Sequence, residues 1–275
     1  MENIIKLAFF QRALISSFLS GVTCSVIGVW VIMMKISFIG VCLSHAAFAG
    51  ALLGLLLHNT TLFYPFLFSF AAAGILGPLS DRAQLSPDTS IGIIFATTIG
   101  LAFLFMGILP EAKSGALNLL WGSILTINSS DIILLLISTF LVLLALIFFW
   151  KEIQALIFHR ELAKSVGIPS TIFLYLILFL SGMAITTSLK SVGGLLVFSL
   201  VINPAASAYQ LTYSLKKMYI LAIIFGVLSC WAGLFISTIF DVPTGASIVL
   251  VTSFIFLLSN IFSPKRKNGK KKKVF

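Results

Sequence analysis

The stretch SFIGVCLSHAAFAGALLG, residues 37–54, places one histidine, His45, in a run that is otherwise apolar or small. In a helix, Ala46, Gly50 and Gly54 share one face, where another helix can approach closely. Such a run predicts a membrane-spanning helix, and an ionisable side chain at that depth is a candidate functional residue. The alternative is that His45 only forms a hydrogen bond with a neighbouring helix, and the residue by itself does not decide between the two.

The composition of the whole chain has the same character as this stretch. Of its 275 residues, 59% are hydrophobic and 9% are charged, and the mean hydropathy is +1.14. A soluble domain carries roughly 25% charged residues. The sequence therefore predicts an all-α integral membrane protein that crosses the bilayer many times.

Apolar segments long enough to be candidate membrane spans recur along the chain. Their ranges are 7–34, 37–57, 62–79, 91–109, 132–150, 170–188, 192–210, 218–240 and 246–262. We predict a polytopic bundle of eight or nine transmembrane helices, since one of the early segments need not cross. The apolar part of residues 110–130 is too short to span and predicts an interfacial or re-entrant piece. All of these segments belong to one transmembrane domain over residues 1–263.

The formal net charge of +10 is concentrated at the carboxyl end of the chain. Residues 265–273, KRKNGKKKK, carry seven of the 18 basic residues, which leaves +3 for the rest. A basic tail over residues 264–275 that follows an apolar segment obeys the positive-inside rule, so we predict a cytoplasmic tail that meets anionic membrane lipid. No folded basic surface accompanies it, and we predict no nucleic-acid partner.

Residues 151–168, KEIQALIFHRELAKSVGI, are the one strongly charged stretch in the interior of the sequence. They predict a short amphipathic helix at about 152–166, outside the bilayer core, that ends at Gly167 and Pro169. Three apolar residues are expected to line its inward side: Leu156, Leu162 and Val166. An anchor that lies on the membrane surface is the alternative interpretation.

The segment 192–210 contains polar residues at a regular spacing. Ser199, Asn203 and Ser207 recur every four residues and form one stripe of a helix. Such a stripe faces a bundle interior or an aqueous path, and helix-to-helix hydrogen bonding is the alternative. Pro204 interrupts the backbone hydrogen bonds of the same segment, a common device at transport sites, and this favours a translocation path.

Motifs for self-contained catalysis are absent from the sequence. It has no HExxH, no GxSxG and no Walker-type glycine-rich loop, so we predict that the chain is not an enzyme and binds no nucleotide itself. Five acidic residues fall near predicted segment ends: Asp81, Asp88, Glu111, Asp131 and Asp241. A proton-coupled carrier would bury a carboxylate in mid-membrane instead, and this weakens the interpretation as a secondary transporter.

Six blocks, in order, resemble the permease subunits of ATP-binding-cassette importers for zinc, manganese or iron. They lie at residues 37–54, 86–100, 117–132, 158–169, 191–208 and 241–250. The resemblance covers nearly the whole chain. It implies a permease in the cell membrane of a prokaryote that moves a divalent transition metal ion into the cytoplasm, with no permanently bound cofactor.

The resemblance also implies the partners of the chain. These are a cytoplasmic ATPase subunit, an extracytoplasmic metal-binding protein and a second copy of the permease, with the translocation path between the two copies. The alternative function is an ATP-independent metal carrier or channel. A neighbouring gene that encodes GxxxxGK[ST] would favour the importer.

Particular residues acquire expected roles from the resemblance. Glu161, Ala163 and Gly167 fit the EAA-type spacing with which such permeases present a coupling helix to their ATPase. At the gate, only His45 matches the family pattern, because Val41 stands where relatives commonly have an aspartate. Cys42 is a second candidate ligand, in place of this aspartate, since thiolate and imidazole both suit zinc.

Overall fold

The computed structural model describes residues 8–58, 62–82, 85–108, 127–194 and 197–265, which form helices joined by short turns. The helices in this part of the chain are α1 Ala8–Met33, α2 Ile39–Leu56, α3 Phe63–Arg82, α4 Pro87–Ile108, α5 Ser129–Phe148, α6 Trp150–Phe158, α7 Arg160–Ser165, α8 Ser170–Val192, α9 Val197–Leu211, α10 Leu215–Phe240 and α11 Thr244–Ile261. Most of the predicted re-entrant piece and the tail after residue 265 lie outside the described residues.

Seven of these helices, α1, α2, α4, α5, α8, α10 and α11, are long and apolar enough to cross a membrane. The apolar part of α3 is the shorter Phe63–Leu79. At 1.5 Å per residue, α9 extends only about 22 Å, less than the roughly 30 Å hydrocarbon core. The prediction of an all-α membrane protein is therefore confirmed, and the number of eight or nine crossings stays a prediction.

Helix α1 occupies the centre of the bundle, where residues 20–31 are all buried. It packs against α5, α8, α9 and α10. Gly28 allows the closest of these approaches, because a Cβ there would collide with the backbone carbonyl of Val201 on α9. Small residues let membrane helices come this close, and close contact supplies the van der Waals energy that lipid-solvated helices otherwise lack.

Helix α2 packs against α3, α4 and α8 on one side of α1, and α11 packs against α9 and α10 on the other. The predicted close-approach face of α2 is confirmed at Gly50, where a Cβ would collide with the backbone carbonyl of Tyr64 on α3. Ala46, one turn earlier, is fully buried. The carboxyl-terminal part of α4 packs on α2 through Ala102 and exposes its other side, at Phe103 and Leu104.

One end of the bundle gathers the short helices α6 and α7 with the end of α1. A cavity there is lined by residues 33–36, 76–77 and 156–160, together with Pro87 and Leu174. A second cavity joins Met33 and Phe158 to the α9–α10 turn and to Lys265. We call this the coupling end. At the opposite end, Phe10 of α1 packs on Phe235 of α10 with ring centroids 5.9 Å apart.

The single amphipathic helix predicted at 152–166 is instead two helices, because the backbone of His159 is extended (φ −162°, ψ 104°) between α6 and α7. This break changes which residues face inward. Leu156 is buried as predicted, but Leu162 and Val166 are 62% and 73% exposed, so their prediction as inward residues is wrong. The predicted end is confirmed: the N–H of Ile168 donates to the carbonyl of Ala163, and Gly167 has φ +84°.

Candidate functional site

His45 lies on the only accessible stripe of the first part of α2. Every residue from 39 to 52 is buried except Val41 and His45. These two residues are one turn apart and share a face, which we call the open stripe. Val41, the position at which the family resemblance implies an aspartate, therefore lies on the same accessible face as the histidine.

One ring nitrogen of the His45 imidazole makes a backbone hydrogen bond, and the other is available for a ligand. Its Nδ1 lies 3.0 Å from the carbonyl oxygen of Val41. Because a carbonyl only accepts hydrogen bonds, Nδ1 carries the proton of the neutral ring and donates it, and Nε2 keeps its lone pair. Histidines that bind metals are commonly oriented in this way, with the other ring nitrogen donating to a backbone carbonyl.

Phe95 of α4 packs on the imidazole edge to face, with ring centroids 5.0 Å apart and the planes at 80°. Phe38, in the turn before α2, packs on the same phenyl ring at 5.4 Å. The two aromatic contacts restrict the rotation of the imidazole. Sequence analysis missed Phe95, because a contact between residues fifty positions apart leaves no local pattern.

The open stripe lies on the side of α2 that faces α4. Gly40 faces α9, where a Cβ would stand 3.3 Å from the ring of Phe198. At 100° per residue, His45 points about 140° away from Gly40, and its ring packs on Phe95 of α4. The stripe therefore lies beside α4 and away from the contact with α9.

Cys42 does not share this accessible face. It is 0% exposed and belongs to the main apolar core. Among the described residues, no group of three or more His, Cys, Asp or Glu side chains could hold a metal ion. The open stripe of one copy thus offers a single imidazole, that of His45.

The polar stripe of α9 divides into residues with different surroundings. The Nδ2 group of Asn203 donates to Thr252 Oγ1 and Ser253 Oγ of α11, both at 3.1 Å. Ser207 is 0% exposed, and its hydroxyl donates to the carbonyl of Asn203 at 2.7 Å. Ser199 is half-buried. Hydrogen bonds between helices, the alternative open from the sequence, are thus present at Asn203, and the two partners on α11 were not foreseen.

The predicted coupling residues occupy three different environments on α7 and its end. Glu161 is exposed, Ala163 is 1% exposed, and Gly167 adopts the left-handed conformation that ends the helix. Leu162 and Val166 are one turn apart and both exposed, and we call them the outer apolar face of α7. In contrast, α6 is fixed in the core by Ile153, Leu156 and Ile157.

Comparison with known proteins gives consistent results over nearly the full length. Residues 6–263 match the family described as the ABC 3 transport family. The manganese transport system membrane protein MntC of Listeria monocytogenes is 31% identical over 266 residues, which cover 97% of this chain and 95% of that protein. The high-affinity zinc uptake system membrane protein ZnuB of Haemophilus influenzae is 32% identical over 250 residues, which cover 90% of this chain and 96% of that protein.

A solved structure, PsaBC from Streptococcus pneumoniae in complex with Fab, contains a chain that superposes with a TM-score of 0.87 at 30% identity. The superposition covers 98% of each chain. The helical bundle with its accessible histidine is thus the fold of a membrane-embedded transport subunit, and not of an enzyme in itself. The chain belongs to the ABC 3 transport family and is a multi-pass protein of the bacterial plasma membrane, which confirms the resemblance found in the sequence.

Proposed function

We propose that this chain is the permease subunit of an importer that moves divalent transition metal ions through the gap beside the open stripe of α2. The observation that carries the proposal is the accessibility of His45, whose Nε2 is directed away from its backbone hydrogen bond. Imidazole nitrogen binds several divalent transition metals. Relatives named for manganese and for zinc transport support this class of cargo.

A second copy of the chain would complete the metal-binding step. One imidazole is too few ligands for a closed four-coordinate site. Two copies that face each other would supply two histidines, and a site of this intermediate strength suits transport, because an ion must be released as well as bound. Cys42 is at most an auxiliary contact, since it would have to leave the core to reach the ion.

The outer apolar face of α7 is the surface on which we expect the ATPase subunit to dock. Exposed Leu162 and Val166 gain from burial against a protein partner, and Glu161 lies beside them. Force applied to α7 would pass through the extended backbone of His159 to α6, whose apolar residues are embedded in the core. A membrane-surface anchor would use the same apolar face and is the alternative.

The sidedness of the bundle follows from this proposal. The coupling end would be cytoplasmic, where the positive-inside rule also places the basic tail that begins at Lys265. Because α1 is long enough to span and ends at the coupling end, it would then begin outside the cell. An ATP-independent carrier remains the second candidate function, but the buried carboxylate of Asp131 does not serve it: the Asn128 N–H donates to its Oδ2 at 3.0 Å, which caps α5.

The experiment that tests the importer is metal uptake by vesicles that contain the permease with its ATPase, with and without ATP and with manganese, zinc or iron as cargo. Leu162→Glu should abolish most ATP-driven uptake, because a carboxylate replaces an apolar docking contact. Lys151→Glu, at an exposed position at the start of α6, is the control and should transport normally. ATP-independent uptake at the full rate, or equal uptake by both variants, would refute the docking proposal.

The predicted coupling residues supply a second test of the same surface. Glu161→Arg should reduce co-purification of the ATPase while leaving the permease folded, since Glu161 is exposed. Gly167→Trp is less informative, because any side chain is strained at φ +84° and the variant would also disturb the end of α7. If Glu161→Arg retains normal ATPase binding and coupling, Glu161 does not belong to the docking surface.

A further inference from the structure

A cavity of about 370 Å³ at the coupling end is not used by the proposed transport path. Its walls are apolar and come from four different parts of the bundle, including Ile36, Leu76, Leu156 and Leu174. It lies below the turn between α1 and α2, beside the junction of α6 and α7. Such a cavity is large enough for a substantial apolar group.

The polar residues that line the same cavity are all basic or neutral. Lys35 and His159 are exposed, Arg160 is half-buried, and no aspartate or glutamate is among the described lining residues. The cavity therefore combines an apolar interior with a positive margin at the end of the membrane spans. Basic pockets between membrane helices on the cytoplasmic side bind the head groups of anionic lipids.

We propose that this cavity binds an anionic phospholipid of the cytoplasmic leaflet, with acyl-chain methylenes against the apolar walls and the phosphate beside Lys35. The side of the membrane rests on the proposed function, whereas the binding itself does not. The outer apolar face of α7 lies outside the cavity lining, so lipid and ATPase would occupy neighbouring but separate surfaces. A bound lipid would there contact both the α1–α2 turn, which leads into the open stripe, and the junction that carries force from α7.

The backbone of Lys35 determines which substitution tests the charge without disturbing the fold. Lys35 has φ +58°, a left-handed conformation that asparagine tolerates better than most residues. Lys35→Asn therefore removes the positive charge and keeps the turn. Lys217→Asn is the matched control, because Lys217 is exposed at the same end of the bundle and does not line the cavity.

The experiment uses the permease–ATPase complex in nanodiscs of phosphatidylcholine with phosphatidylglycerol, followed by native mass spectrometry of the lipid that stays bound. The wild type and Lys217→Asn should retain phosphatidylglycerol in preference to phosphatidylcholine. Lys35→Asn should retain about five-fold less of it, the effect expected for one lysine near an anionic head group. Met34→Trp, which fills part of the cavity, should also lower retention.

Each contrary result would overturn the proposal. Equal retention by Lys35→Asn and the wild type would show that the lysine does not bind the phosphate. Equal retention of both lipids would show a non-selective apolar cleft. If the permease alone retains the lipid and the complex with the ATPase does not, the ATPase occupies the cavity in the complex. These lipid measurements are independent of metal uptake, so failure here and failure of the transport proposal are distinguishable.

Discussion

Helices α2 and α9 each carry a polar side chain within an apolar segment, and the two side chains are used differently. Asn203 of α9 donates two hydrogen bonds to α11, which joins the two helices. Among the described residues, His45 of α2 forms its hydrogen bond within its own helix, to Val41, and packs against an aromatic ring. The comparison separates two roles of a polar residue in a membrane helix. A residue that still presents a free donor or acceptor at an accessible surface indicates a role in transport. A residue whose donors and acceptors are bound by a neighbouring helix indicates a role in packing.

The largest effect on metal uptake is expected at His45, and it tests the transport role assigned to the accessible imidazole. His45→Ala removes the accessible imidazole, so metal uptake by vesicles with the ATPase should fall at least ten-fold, the range seen when groups that support a metal site are lost. The thermal stability of the permease should change little, because the hydrogen bond that the described structure gives His45 stays within α2. Normal uptake with normal metal selectivity would show that the histidine is structural.

The next effect concerns the other residue of the open stripe. Val41→Asp places a carboxylate one turn from the imidazole on the same accessible face. Two ligands at this spacing should hold a transition metal about ten-fold more tightly than one and slow its release. Equilibrium binding of manganese and zinc to the detergent-solubilised protein would measure this, with Val41→Asn as the uncharged control. Unchanged affinity would mean that the stripe does not meet the ion.

Much of the fold was predictable from the sequence, and the local reason is clear in each case. Apolar runs of about 20 residues give membrane helices because every backbone group must be satisfied within the segment. The spacing of Ala46 and Gly50 predicted a helix contact for the same local reason. The division of residues 151–168 into two helices was not predictable, because no glycine or proline marks His159 and the inward face changes there.

The candidate site was predictable only in part. His45 stands out as an ionisable residue in an apolar run, and its accessibility depends on how α4 packs beside α2. The partners Phe95 and Thr252 are distant in sequence, so no periodic pattern reveals them. Side-chain hydrogen bonds between helices require the tertiary arrangement, which is why the stripe on α9 allowed two interpretations.

A smaller effect is expected at Asn203. Asn203→Leu removes the two hydrogen bonds to α11, so it should destabilise the permease by about 1 kcal/mol, since such bonds average about 0.6 kcal/mol each. Uptake should fall more than in Ser170→Ala and in proportion to the loss of folded protein. A double-mutant cycle with Thr252→Val, followed by thermal unfolding, measures the contact.

Thiol labelling at Asn203 and its neighbours tests the other interpretation, in which α9 lines the translocation path. In a cysteine-free background, Ser199→Cys and Asn203→Cys should react with a water-soluble thiol reagent if α9 lines an aqueous path, whereas Ser207→Cys should stay protected because Ser207 is fully buried. Labelling at residues 199 and 203, together with loss of uptake at unchanged stability in Asn203→Leu, would place the polar stripe on the path. Absence of labelling in every nucleotide state would leave it as a packing contact.

The smallest effect on metal handling is expected at Cys42, which is next to the open stripe in sequence but is enclosed in the core. Cys42→Ser keeps the size of the side chain and buries a hydroxyl in apolar surroundings, which should cost about 1 kcal/mol of stability. Metal affinity and selectivity should be unchanged, because the thiol has no access to the gap beside His45. Cys42→Ala controls for the hydroxyl. The measurement is the uptake of zinc and of manganese by the two variants, compared at equal amounts of folded protein.

A loss of zinc uptake in both variants, with manganese uptake retained, would contradict this expectation. The thiol would then have to leave the core to bind the ion as a soft ligand, and α2 would have to rotate during transport to present Cys42 and His45 together.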